Sequence, residues 1–288
     1  MRKIPYVFIF LIFVGAILSY FFDTSSWLTQ VDLSLSSPSV DHWMGTDALG
    51  RDMFSRVLVG ARGSLIVGGL GCGFAFLIGT FLGLFFAYRG GYWEAIFMRA
   101  VEIFSAVPSM ILSGVFILSM TVAFPFLKGS LFVFALILAI TSWMNFSRLT
   151  RNLVLQEKQM IYVEASKALG ASTPHILFKH ILPNILPSLL VSAGMQFPHF
   201  LFFESFLSFV GLGVQAPHAS WGSLLSDGWR SLSETPHLLF FPALFLFLFA
   251  LSVNLIFEDL RKKLAFSNHR KSLQDVQQHS GKDDLDLV

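Results

Sequence analysis

The sequence predicts an all-α, polytopic integral membrane protein with six transmembrane helices, and three observations carry that prediction. The chain is too apolar for an ordinary water-soluble protein of 288 residues, with 54% hydrophobic residues, 13% charged residues and a mean hydropathy of +0.66. Six apolar stretches approach the roughly 20 residues a helix needs to cross a hydrocarbon layer: Ile4 to Phe22, Ser64 to Tyr88, Ile103 to Phe126, Leu131 to Phe146, Pro187 to Gly211 and Phe240 to Phe257. The basic residues are unevenly distributed between the loops. With the N-terminus inside and the chain alternating, the inner segments (the N-terminus, 89–102, 148–186 and the C-terminal tail) hold fifteen of the twenty Lys and Arg residues. That is the asymmetry of the positive-inside rule, and it places both termini in the cytoplasm.

The first stretch follows Arg2 and Lys3 and is long enough to span. No small-residue cleavage site precedes Asp23, so an uncleaved first helix over residues 1–22 is favoured over a signal peptide. The extracytoplasmic loop, 23–63, carries five Asp. Within it Met53, Phe54, Val57 and Leu58 recur at helical spacing, with Arg51, Asp52, Ser55 and Arg56 between them, which predicts a short amphipathic helix lying on the membrane surface. The second stretch places Gly71, Ala75, Gly79, Gly83 and Ala87 at every fourth position. Such a smooth stripe lets another backbone approach closely; packing within the subunit is its expected use, and contact with a partner chain is the alternative. A five-helix core is expected over 64–264, with a long cytoplasmic loop at 150–185. The last residues, 265–288, are polar, mixed in charge and without apolar periodicity, as in a mobile cytoplasmic tail.

Several chemistries are excluded. No G-x-x-x-x-G-K-[ST] loop occurs, and Gly69, Gly71 and Gly73 fail the G-x-G-x-x-G spacing, so this chain is not expected to hydrolyse ATP or to be an enzyme. H-E-x-x-H and G-x-S-x-G are also missing. The eight histidines are scattered and the single Cys72 sits in an apolar run, so no metal site is expected. His199 is the odd histidine, since it falls inside the fifth stretch. Glu204 is the one carboxylate inside an apolar span, where ionisable groups are costly and are paired, cavity-facing or functional. Two readings stand level: Glu204, with Gln196 two turns earlier, lines a translocation path, or Glu204 bonds to the outer loop from near the end of its helix.

The segment between the fourth and fifth spans carries most of the functional inference. Tyr162 to Gly170 and then Ala171 to Asn184 read as two short helices joined at a glycine. Val163, Ala165, Ala168 and Leu169 supply an apolar side, and Gly170 suits the left-handed conformation that ends a helix. Thr173 and Pro174 suit a helix start, and Pro183 a stop. A mere connector has no need of this construction, whereas a docking partner in the cytoplasm does.

At these residues the chain resembles the permease subunits of binding-protein-dependent ATP-binding cassette importers. Their signature is E-A-A, three intervening residues, glycine, a nine-residue gap and I-x-L-P; Glu164, Ala165, Gly170, Leu182 and Pro183 fall at its spacing. Ser166 takes the third position, and His180 takes the isoleucine position with Ile181 beside it. Two further blocks narrow the resemblance to the second permease subunit of dipeptide and oligopeptide importers. One is His42-Trp43-Met44-Gly45-Thr46-Asp47 through Gly50-Arg51-Asp52 to Arg62. The other is Leu207 to Gln215 with Ser220-Trp221-Gly222 and Ser226-Asp227-Gly228.

The resemblance implies a type I importer permease fold in a bacterial inner membrane. It implies a second homologous permease as partner, two ATPase subunits that carry ATP and Mg, and an external peptide-binding protein. No cofactor is expected on this chain. Glu164, Ala165, Ser166, Gly170, His180, Leu182 and Pro183 would form the coupling helix seated on an ATPase. Nickel or another small solute is the alternative cargo in the same branch. A secondary transporter is the rival from another class, but matching breaks in two halves are not seen.

Overall fold

The computed structural model describes residues 4–19, 34–127, 129–215 and 218–283, with side chains as far as residue 264. Among the described residues the regular structure is helical: α1 (Ile4–Leu18), α2 (Met53–Arg89), α3 (Gly91–Ala106), α4 (Ser109–Ala123), α5 (Leu131–Ser142), α6 (Met144–Glu157), α7 (Ile161–Ala168), α8 (Thr173–His175), α9 (Leu182–Phe209), α10 (Trp221–Arg230) and α11 (His237–Asp283). These supply six apolar elements that match the six expected spans: α1, α2, the bent pairs α3–α4 and α5–α6, the run from α8 through α9, and the apolar part of α11. The end of the first expected span, beyond Ser19, lies outside the described residues.

The long α2 forms the centre of the bundle, and its small-residue stripe is what lets it do so. A side chain at Gly71 would stand 3.3 Å from Leu138 Cβ, and one at Gly83 would stand 2.9 Å from Thr150 Cβ. Ala75 and Ala87, on the same face, are buried. The stripe therefore packs α5 and α6 against α2 within one subunit, because helices without bulky side chains between them gain dispersion contacts along their whole length.

Two expected spans are bent rather than straight. The stretch expected over Ile103 to Phe126 breaks between α3 and α4 by 82°. The cause is Pro108, which holds Val107 in an extended conformation (φ −85°, ψ 126°). Residues 91–102, expected as part of a loop, are helical. The stretch expected over Leu131 to Phe146 bends by 49° between α5 and α6. There the Thr141 hydroxyl bonds back to the carbonyls of Ile137 (3.0 Å) and Leu138 (3.1 Å), a local competition that bends helices. Past this bend α6 continues to Glu157, so the segment free to act as a loop is shorter than the expected 150–185.

Three further expectations are corrected. The amphipathic helix of the outer loop is not a separate surface element but the first turns of α2, capped by Asp52, whose carboxylate accepts the Ser55 N–H at 2.8 Å. Its apolar residues Met53 and Val57 are buried against Trp221, Leu224 and Leu238 rather than facing lipid. The second short helix of the cytoplasmic segment does not stop at Pro183. It starts from Ser172 at the N-cap position, without a side-chain capping bond, rather than from Thr173, passes through a π-helical turn (Ile176–Ile181) and runs on into α9 as one 37-residue element, Thr173–Phe209. The wide turn absorbs the proline: the Leu182 N–H reaches back to the Leu177 carbonyl, and Pro183, which has no N–H to give, sits in the first turn of α9. Finally, the backbone of residues 265–283, expected as a mobile tail, continues α11.

Candidate functional site

At the Arg89 end of α2 the chain builds a projecting helix with firm attachments. α7 buries only Val163 and Ser166, one turn apart. The apolar side expected from the sequence is therefore divided: Val163 faces inward, whereas Ala165, Ala168 and Leu169 face out with Ile161, Leu169 being 88% and Ile161 81% exposed. Ile161, Ala165 and Ala168 or Leu169 lie four and seven or eight residues apart, which aligns them on one face. Glu164 is exposed beside them. Gly170 follows with φ +79°, a conformation that side chains with a Cβ rarely adopt, and its N–H bonds to the Lys167 carbonyl at 2.9 Å.

Behind α7 a clasp joins three elements. Glu157, at the end of α6, accepts hydrogen bonds from the Tyr162 hydroxyl of α7 and from Asn184 Nδ2 of α9, the latter at 3.1 Å; Asn184 Nδ2 also lies 2.7 Å from the Tyr162 oxygen. His180 does not leave a gap at the signature's isoleucine position. Its ring packs on Tyr162 and His175 with centroids 6.2 and 5.4 Å apart, while Ile181 takes the buried apolar place. Leu182 is half-buried and Pro183 exposed. Lys158 caps the end of α2 by donating to the carbonyls of Tyr88 (2.9 Å) and Ala87 (3.3 Å). Burial lowers the pKa of its ammonium, nearby Lys167 lowers it further, and Glu94 opposes both. Arg151 ties α6 to the first turn of α3 through Glu94 at 2.6 Å.

The opposite end of α2 is closed by two networks. Asp47 accepts from the Leu49 and Arg51 backbone N–H groups (2.8 and 2.9 Å) and from the Arg51 and Arg56 guanidinium groups (2.7 Å each); Arg56 reaches on to Asp227 of α10 at 3.1 Å. Gly45 and Gly50 take positive φ values of 75° and 71° to make this tight loop. The second network surrounds Glu204, which is fully buried. Ser64 of α2 donates to Oε2 at 2.8 Å and Ser208 donates to Oε1 at 2.7 Å; these hydroxyls in turn accept the backbone N–H groups of Trp221 and Val214, each at 3.0 Å. Within this chain both carboxylate oxygens of Glu204 are thus engaged by serine hydroxyls. Glu204 fastens α2, α9, the following loop and the start of α10, which is the structural reading of this residue. Gln196 is half-buried on the same helix, two turns away.

Removing the carboxylate leaves Ser64 and Ser208 without an acceptor, at a cost of about 1–3 kcal/mol for each stranded hydroxyl. Glu204→Ala is expected to lower the unfolding temperature of the purified protein well below that of Glu204→Gln, which keeps an acceptor oxygen. Equal melting of the two variants in a thermal-shift measurement would refute the fastening role.

Sequence reasoning missed the Glu157–Tyr162–Asn184 clasp, because its members come from three elements and match no spacing. It also missed the ion pairs of Asp47, Arg56 and Asp227; the density of charges beside an apolar helix start was the available signal.

Residues 79–265 match the model of a family described as binding-protein-dependent transport system inner membrane component. The chain belongs to that family. The permease is 42% identical over 259 residues to the oligopeptide transport system permease protein OppC of Bacillus subtilis, covering 90% of this chain and 83% of that protein. It is 40% identical over 264 residues to the dipeptide transport system permease protein DppC of the same organism, covering 90% and 79%. With the glutathione transport system permease protein GsiD of Escherichia coli it shares 36% identity over 262 residues, covering 90% and 84%. Among solved structures, an inward-facing form of the MetNI methionine transporter shares the fold at a TM-score of 0.56 and 20% identity, over 72% of this chain and 97% of that one. The permease is thus a multi-pass membrane protein of the type I importer permease fold.

Proposed function

We propose that this permease is one of two membrane subunits of an ATP-driven importer of dipeptides or oligopeptides. In this reading separate ATPase subunits bind ATP and Mg, and an extracytoplasmic binding protein delivers the cargo. The observation that carries the reading is α7, a short helix that leaves an apolar face outward yet is clasped to α6 and α9. A helix with no partner gains nothing by exposing Ile161 and Leu169; seated in a groove on an ATPase it buries them, at about 25 cal/mol per Å² of apolar surface. Movement of the ATPase then reaches two spans at once, through the Tyr162 and Asn184 bonds to Glu157. Alternating access of this kind needs two arrangements whose contacts with the partner differ in energy.

The basic residues of the inner segments support an orientation with both termini, α7 and the Arg89 end of α2 in the cytoplasm. The α10 end then faces the binding protein. Peptide cargo is supported by the relatives, which are permeases for oligopeptides, dipeptides and glutathione.

The test is uptake into proteoliposomes containing the permease, its partner permease and the ATPases, with the binding protein supplied outside. Labelled di- or oligopeptide should accumulate only with ATP inside, and accumulation should survive an uncoupler that collapses the proton gradient. Uptake of nickel but not peptide, or uptake abolished by the uncoupler with ATP present, would overturn the reading.

A further inference from the structure

The two bent spans meet at a feature that the proposed coupling does not use. Between the α3–α4 break, the α5–α6 break and α9 lies a cavity of about 270 Å³. Its walls include Ser109, Ser142, Asn145, Arg148 and His199. The lining is half polar, with Val107, Pro108 and Met144 as its apolar part, whereas Ile103 and Ile111 beside the α3–α4 break are exposed apolar residues.

Resting on the peptide reading above, we propose that this cavity is a carboxylate site on the path of the cargo. Arg148 would take the C-terminal carboxylate of a peptide, with Ser142 and His199 as further donors. Three observations carry the proposal. Arg148 donates only to neutral oxygens, Ser105 Oγ at 3.1 Å and Asn145 Oδ1 at 2.9 Å, and among the described residues no carboxylate pairs with it. The neighbouring basic residues of the same region are paired, Arg151 with Glu94 and Arg99 with Glu102. A guanidinium offers five N–H donors in a planar fork that matches a carboxylate, so the unused donors of Arg148 are an unmet demand for an anion.

The second observation is Ser142, a residue of the cavity lining that is 8% exposed and whose hydroxyl oxygen, itself out of reach of solvent, has no hydrogen-bond partner among the described residues. A buried hydroxyl without a partner is costly, so a turn of the Ser142 side chain toward a carboxylate bound in the cavity is favoured. The third is place. Ser147 packs its backbone on Gly83, six residues from the Arg89 end of α2, so Arg148 lies roughly 9 Å inside that end at the helical rise of 1.5 Å per residue. A cation at that depth gains from a substrate anion that water screens less than at the surface. His199, odd in the sequence as a histidine in an apolar span, lines the cavity from α9 as an exposed residue.

The test uses the assembled transporter in detergent, with Ser142→Cys introduced on a Cys72→Ala background, so that no binding protein selects the ligand. The introduced thiol should react faster with an anionic than with a cationic methanethiosulfonate of similar size, and Arg148→Gln should reduce that preference by roughly tenfold, the scale of one charge contact. Arg148→Lys should retain much of it. A tripeptide with a free C-terminus should slow the labelling, whereas the same tripeptide as its C-terminal amide should not. No charge preference, no labelling at all, or equal protection by acid and amide would overturn the proposal while peptide uptake persists in proteoliposomes. Protection by a simple carboxylate such as propionate but not by the peptide acid, together with failed peptide uptake, would sink the peptide reading itself.

Discussion

Gly79→Val is expected to keep the permease from folding into a packed bundle, whereas Gly73→Val six residues earlier is expected to leave it intact. A Cβ at Gly79 would stand 2.6 Å from Phe146 Cβ and 2.9 Å from the Ser147 nitrogen, and would press on the Trp143 carbonyl. Two of those three atoms are backbone, so no side-chain rotation relieves the clash and α2 must move away from α6. Overpacking a tight contact costs about 1–3 kcal/mol when side chains can yield, and more when they cannot. Net stabilities are only about 5–15 kcal/mol, so a loss of that size removes a large share. Parting α2 from α6 also uncovers Phe146 and Val154, both fully buried. At Gly73, by contrast, nothing lies within 4 Å of an added Cβ. The measurement is the yield of monodisperse protein after extraction, with its unfolding temperature. Similar yields from the two valine variants would show that the stripe is not a packing surface.

Gly170→Val is expected to abolish transport while leaving the bundle folded. Gly170 has φ +79° and nothing within 4 Å of an added Cβ, so the substitution meets no clash. Its cost is conformational: a β-branched residue held at positive φ carries about 1–3 kcal/mol of strain, which the chain relieves by re-angling the joint between α7 and α8. The face formed by Ile161, Ala165 and Leu169 then no longer meets an ATPase groove in register with α9. Gly170→Asn, which tolerates the left-handed region better, should recover part of the activity. Glu164→Lys tests the same surface by charge, since Glu164 is exposed beside that face and its reversal replaces a contact without touching the spans. Both Gly170→Val and Glu164→Lys should insert normally, release the ATPases in a pull-down and lose peptide uptake. Retained ATPase binding with retained uptake in both would make α7 an ordinary connector.

Much of this architecture was legible before any coordinates. Hydropathy located the six apolar elements, because in a bilayer each span must be apolar over its own length and satisfy its backbone within itself, a constraint read one segment at a time. The Gly71 to Ala87 stripe announced a close helix contact, and the spacing from Tyr162 to Thr173 announced two helices with a left-handed glycine at their joint; these are local patterns of small side chains and backbone conformation.

What local pattern could not settle was which residues from distant segments meet. The apolar residues of α7 pointed to one buried side, yet Val163 faces in and Leu169 out, because the π-helical turn covers one narrow strip and leaves the rest exposed. Met53 and Val57 had the spacing of a membrane-surface helix, yet α10 and α11 fold over them. Pro183 had the mark of a helix stop, but a π-helical turn carries the chain past it. Glu204 stood evenly between path and fastener in the sequence, and only the packed bundle brings Ser64 and the N-terminus of α10 to it as a fastening. Burial, pairing and the charge left over at Arg148 are properties of the packed bundle, since each depends on side chains that approach from segments far apart along the chain; the sequence by itself determined the spans and the local joints that the bundle is built from.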